Sequence, residues 1–245
     1  IMLLAVAAIL LGAFLAIEAR AKAPLLPLGI FRLKTLRGSN IVGLLIGASL
    51  FSMFFFVSLY MQQVLGMDAL EAGLAYLPLA GTIIVSAGVA SQLVTRLGFK
   101  PVLIGGLLLV TVGLVWFAQM SADGSYVGDI LFPSIVAGAG LGFSFVPVTI
   151  GAVTGTNAET AGLASGLINT SQQVGGALGL AVLTTIAFGG LNQGRPDPVA
   201  LTEGFRDALL TGAGFAVIAV LIAAFAISGR DSRAMKGAEA VPVPV

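Results

Sequence analysis

Long apolar runs alternate with short clusters that hold almost every charge. Seven runs occur, at 1–17, 39–61, 73–95, 101–120, 129–152, 161–188 and 208–228. All but the first reach the roughly 20 residues that a helix needs to cross about 30 Å of hydrocarbon. No Asp, Glu, Lys or Arg sits in the middle third of any run. The pattern predicts an all-α polytopic membrane protein with seven transmembrane helices. Residue 1 is Ile, already inside an apolar run, and Arg20 and Lys22 follow that run rather than precede it. A signal peptide has the opposite order. The expectation is a sequence that starts partway through a longer protein, with 1–17 the end of a cut span.

Composition narrows the function. Charged residues make up 9% of the chain, against about 25% in soluble domains. A net charge of +1 without a basic tract argues against nucleic acid as a partner. There is no Cys and no His. That removes disulfides, thiolate and imidazole metal sites, and the Ser–His pair of a hydrolase, so an enzyme is not expected.

The basic residues orient the spans. Gaps 18–38, 96–100 and 153–160 and the tail from 229 fall on one side, and together they hold ten of the 12 Lys and Arg. Gaps 62–72, 121–128 and 189–207 hold only Arg195 and Arg206. Positive charge marks the cytoplasmic side, so the C-terminus is expected in the cytoplasm. Residues 18–38, with Pro24 and Pro27, read as a basic linker at headgroup level beside anionic lipid. The polar tail 229–245 reads as disordered. Asp68 with Glu71 and Thr156 with Glu159 have capping-box spacing before the third and sixth spans.

Three spans carry stripes of small and polar residues. In the second these are Asn40, Gly43, Gly47, Phe51, Phe54, Ser58 and Gln62. In the fifth they are Pro133, Ala137, Gly140, Ser144, Pro147 and Gly151, and in the sixth Gly162, Ser165, Asn169, Gln172, Gly176 and Gly179, widened by Gln173. Two readings stay open: close helix packing, or a wet cavity whose polar groups face a substrate. An amide facing lipid would cost several kcal/mol, so Asn169, Gln172 and Gln173, near the inner end of their span, must face protein or water. Gly138, Gly140 and Gly142 lie inside an apolar span with no strand before them, which favours helix packing over a nucleotide loop. Pro133 and Pro147 predict a bent or flexing helix. No span holds the carboxylate that a proton-coupled carrier keeps at membrane depth. If the protein is proton-coupled, that group is expected upstream.

Specific motifs add a resemblance. Leu59-Tyr60-Met61-Gln62-Gln63-Val64-Leu65-Gly66, continuing through Ala69, Ala72-Gly73-Leu74 and Leu77-Pro78, resembles a signature of the drug:proton antiporter-2 branch of the major facilitator superfamily. Ala161 to Thr170, followed by Gln173-Val174-Gly175-Gly176-Ala177, is similar to that family's penultimate span. Leu26-Pro27-Leu28 with Ile30-Phe31-Arg32 resembles its linker before the second bundle. Thr95-Arg96-Leu97-Gly98-Phe99-Lys100 resembles its cytoplasmic loop motif, with Thr95 in place of Asp and a structural anchoring role implied.

The resemblance implies fourteen spans in the whole protein. Residues 1–17 would end an inserted helix, and 39–228 would form the C-terminal six-helix bundle from two inverted triplets. The second and fifth spans would face a central cavity, the fourth and seventh lipid. The implied activity is export of hydrophobic or cationic compounds across the plasma or inner membrane. A proton gradient would drive it, and no cofactor is needed. The implied partners are those substrates, the bilayer and the N-terminal bundle of the same protein. Phe51, Phe54, Tyr60 and Phe143 would offer aromatic surface, with Asn40, Ser58, Gln62, Ser144, Asn169, Gln172 and Gln173 as polar candidates. Export of a specific metabolite, lipid or peptide, or a non-transporting structural role, are the alternatives.

Overall fold

The computed structural model describes residues 2–21, 28–189 and 197–234. Its helices are α1 (Met2–Arg20), α2 (Lys34–Gln63), α3 (Ala69–Ala75), α4 (Leu77–Leu97), α5 (Phe99–Phe117), α6 (Phe132–Val153), α7 (Ala158–Gly189), α8 (Pro198–Ala226) and α9 (Gly229–Ala234). A 3-10 turn, Leu28–Arg32, leads into α2, and a π turn, Tyr126–Leu131, leads into α6. No strand occurs among the described residues.

Six segments are long and apolar enough to cross a membrane: Lys34–Gln63, Ala69–Leu97, Phe99–Phe117, Tyr126–Val153, Thr160–Gly189 and Pro198–Ala226. The protein is therefore a multi-pass helical membrane bundle; among the described residues six of the seven expected spans qualify. The first apolar run lies in α1, whose described side chains are mostly exposed, with Glu18 buried.

Several boundaries move, each for a local reason. Helix α2 begins at Lys34 and takes in the end of the expected linker, so Arg37 is helical; Lys22, Pro24 and Pro27 lie outside the described residues. The third span breaks at Tyr76, where Pro78 in the first turn of α4 suits a fresh helix start. Helix α8 starts ten residues before the expected 208, because Asp197 accepts from the Ala200 N–H at 2.7 Å and caps it. Part of the expected disordered tail is the short helix α9, docked by Ser232 and Asp231; residues 235–245 lie outside the described residues. The Asp68–Glu71 capping box is present in both directions. The second box is shifted by one residue: Asn157 accepts from the Thr160 N–H at 2.9 Å, and Thr160 Oγ1 accepts from the Asn157 N–H.

The packing has a two-fold relation. Helix α2 packs on α7 and α8, α6 packs on α4 and α5, and α5 meets α8 across the axis. Exchanging α2 with α6, α4 with α7 and α5 with α8 maps this pattern onto itself. Counting spans, α2 and α6 cross in opposite directions, as an inverted pair requires. Of the six candidate spans, those of α2 and α6 are the most buried, and those of α4 and α7 the least.

Small residues set these interfaces. A Cβ on Gly47 of α2 would fall 2.8 Å from the carbonyl carbon of Gln172 on α7, and one on Gly175 would fall 2.6 Å from that of Leu44. Helix α6 is grooved on two sides. Gly140 meets Gly106 and Val110 of α5, while Gly138 and Gly142 meet the Leu79 and Ile83 carbonyls of α4. Such close backbone approach supplies contact that lipid cannot.

Candidate functional site

Between α2, α6 and α7 lies an open cleft of about 320 Å³. Leu50 and Phe51 of α2, Phe145 of α6, and Asn169, Gln172 and Gln173 of α7 line it, over Gly47. The glycine interlock places these groups. Gln172 is pinned by its backbone on Gly47, and the Phe51 ring lies where a side chain at Gly176 would be, 2.7 Å from that Cβ position. Phe51 remains 42% exposed beside the amides. Helix α7 runs 32 residues. Gln172 and Gln173 sit close to its midpoint, roughly 20–25 Å from either end at 1.5 Å per residue. The expected position near the inner end is corrected to the middle of the helix, where the 161–188 run itself already places these residues.

The amides differ in their partners. The Asn169 side chain donates to the Ser165 carbonyl at 3.1 Å within its own helix. Gln172 and Gln173 have no hydrogen-bond partner among the described residues, and Gln173 is exposed. Each primary amide offers two donors and an acceptor. At mid-depth, unpaired groups of this kind are stable only against water, a ligand or another protein surface. Among the described residues, no charged side chain lines the cleft. The site presents neutral hydrogen-bonding groups beside an aromatic wall.

The remaining candidates lie elsewhere. Asn40 is buried; its Nδ2 donates to the Leu36 carbonyl and its Oδ1 accepts from Ser171, both at 2.9 Å, tying α2 to α7. Gln62 donates to Ser58 near the end of α2. Phe54 sits with its ring centroid 5.1 Å from that of Tyr76 on the α4 side. Tyr60 is fully buried and donates to the Ser121 carbonyl at 2.8 Å. Ser144 is buried, donating to the Gly140 carbonyl at the α5 interface. Phe143 lines a separate groove between α4 and α5.

Phe145, two residues on, is the aromatic group that reaches the cleft, and sequence reasoning passed over it with Leu50. The available signal was angular. Phe145 lies about 20° from Gly138 and about 60° from Gly142 on a helical wheel at 100° per residue, whereas Phe143 lies about 100° or more from both.

Pro133 stands in the first turn of regular α6, after the π turn, and is a helix-start residue rather than an internal kink. Pro147 is internal. It leaves the Phe143 carbonyl without its intrahelical donor, and this is the carbonyl against which Gly106 packs, with a Cβ position 2.7 Å from the oxygen.

The basic loop is a structural clasp. Gly98 has φ +88° and faces Ser232 of α9. Lys100 Nζ donates to the Ala224 and Ile227 carbonyls at 2.6 and 2.8 Å and caps the end of α8. Its backbone N–H donates to Ser232 Oγ, while Thr35 of α2 donates to Asp231. Arg96 ends α4 and is exposed.

Comparison with known proteins agrees with this architecture. The family model described as Major Facilitator Superfamily matches residues 1–180. The chain is 35% identical over 213 residues to the cephamycin export protein CmcT of Amycolatopsis lactamdurans, covering 86% of this chain and 43% of that protein. It is 31% identical to the puromycin resistance protein pur8 of Streptomyces alboniger, covering 91% of this chain and 46% of the relative. It is 36% identical to the tetracenomycin C resistance and export protein of Streptomyces glaucescens, covering 79% and 36%. The chain thus spans less than half the length of each of these relatives.

Proposed function

This chain belongs to the major facilitator superfamily, and from that premise we propose that it forms the C-terminal half of an exporter for drug-like antibiotics. The observation that carries the proposal is the cleft at mid-depth, where Gln172 and Gln173 present unpaired amides beside Phe51 and Phe145. An N-terminal bundle would close the cleft over its open side, and substrate would pass as the two halves rock around it. The family resemblance supports the fourteen-span antiporter branch. The lopsided Lys and Arg support a cytoplasmic C-terminus in the cell membrane.

Proton influx would drive export. Its carboxylate would belong to the other half, since the cleft surface contributed here is neutral. The substrate features that this half recognises are an aromatic or aliphatic face and neutral hydrogen-bonding groups. An amide bond to substrate is worth about 1 kcal/mol, so a Gln172→Leu/Gln173→Leu pair in the intact transporter should raise the half-saturating concentration roughly ten-fold or more. The test is efflux of a fluorescent dye from cells, with and without an uncoupler. Unchanged efflux kinetics in the pair removes the cleft from the path. Efflux insensitive to the uncoupler removes the proton coupling.

A further inference from the structure

A second opening lies outside the substrate reading. Helices α4 and α5 share little contact with each other, and both lean on α6. Their splay leaves an apolar groove of about 240 Å³, floored by Phe143 and walled by Leu93, Leu97, Pro101, Gly105 and Leu109. Gly105 gives it depth, since a Cβ there would meet nothing within 4 Å. Leu97 on its wall and Leu108 beside it are about half exposed, so the groove opens outward from the bundle. Pro101 to Leu109 covers eight residue steps, about 12 Å of helix. That is most of the roughly 15 Å that one leaflet contributes to the hydrocarbon.

The mouth of this groove is positive. Arg96 lies in the last turn of α4, one residue before Leu97 and three after Leu93, and has no ion-pair partner among the described residues. The positive end of the α5 dipole begins beside it at Phe99. Neighbouring charges are already engaged. Lys100 caps the end of α8, and Asp231 takes the Thr35 hydroxyl. A favourable contact of Arg96 with the end of its own helix would explain the charge alone, but not an apolar slot of leaflet depth beneath it.

We propose that the α4–α5 groove is a binding site for an anionic phospholipid, with one acyl chain along Pro101–Leu109 and the phosphate at Arg96. The site is separate from the cleft and does not rest on the transport reading. The test uses the intact transporter, equilibrated in detergent with an equal mixture of dioleoyl phosphatidylglycerol and dioleoyl phosphatidylcholine, and counts retained lipids by native mass spectrometry. One basic residue near a membrane surface gives a preference of about five-fold, so the glycerol lipid should be retained about five times more than the choline lipid. Arg96→Gln should bring the two to parity. Gly105→Leu starts from a Cβ position with nothing within 4 Å, projects into the slot and should strip the tightly held copy of both. Equal retention of the two lipids by the unmodified protein overturns the proposal. So does a preference that survives Arg96→Gln, or wild-type retention in Gly105→Leu.

Discussion

Replacing Gly47 by Ala tests the link between packing and site most directly. The added methyl would lie 2.8 and 2.9 Å from the carbonyl carbon and Cα of Gln172, and closer still to its oxygen. These are backbone atoms of a long helix, so no rotamer change relieves them. Ordinary carbon contacts lie at about 3.5–4.0 Å, so α7 must withdraw by about 0.7–1 Å. Overpacking of this kind costs about 1–3 kcal/mol or more. The gain in helix propensity on replacing Gly is about 1 kcal/mol, so the variant is destabilised on balance. It also displaces Gln172 from Phe51.

Gly166→Ala on α7 is the matched control, since its Cβ would meet nothing within 4 Å. The assay pairs thermal unfolding in detergent with dye efflux by the intact protein. At about 2–4 °C per kcal/mol, Gly47→Ala should melt several degrees below Gly166→Ala and need a higher dye concentration for half-maximal efflux. Equal melting and equal efflux in the two variants would refute the interlock.

Three further outcomes follow from the hydrogen bonds. Tyr60→Phe removes the bond to the Ser121 carbonyl and should lower stability by about 0.5–1.5 kcal/mol, while dye affinity stays unchanged because the ring lies in the core. Ser171→Ala leaves the buried Asn40 Oδ1 without its donor. It should cost about 1–3 kcal/mol in the same melting assay, with Asn40→Leu/Ser171→Ala recovering part of the loss. Lys100→Met removes both caps on the end of α8. It should lower the melting temperature and speed proteolysis of the C-terminal tail, whereas Arg96→Met should leave tail cleavage unchanged.

Much of the fold was legible because a bilayer imposes a length and a polarity that hydropathy reports directly. What hydropathy missed lies where a helix continues past its apolar stretch. Asp197 starts α8 well before its oily segment, and Lys34 starts α2 among basic residues. The Asp68–Glu71 box was readable because its two reciprocal bonds are local. The clasp of Lys100 on α8 joins residues more than a hundred positions apart, and spacing carries no trace of it. The site was legible as a residue class more than as a constellation. Phe51, Asn169, Gln172 and Gln173 do converge, whereas Tyr60 and Phe143 were chosen as aromatics near polar stripes and face other surroundings.

The choice between packing stripe and wet cavity dissolves once the helices are placed, because each stripe divides lengthwise. On α2, Gly43 and Gly47 meet α7, while Phe51, one turn on, turns its ring to open space over Gly176. On α7, Gly175 and Gly179 meet α2, and Gln172 gives its backbone to the interface and its amide to the cleft. Small residues let the two backbones approach. That approach narrows the space at the crossing until only the larger neighbours on the stripe's edge can project into it. Glycine and glutamine are therefore two parts of one device: the first fixes where α7 lies, and the second inherits a position that no side-chain hydrogen bond among the described residues holds. It follows that a bulky residue placed at the edge of the α2–α7 interface should damage substrate recognition without touching substrate, and that stability and specificity should fail together at this crossing.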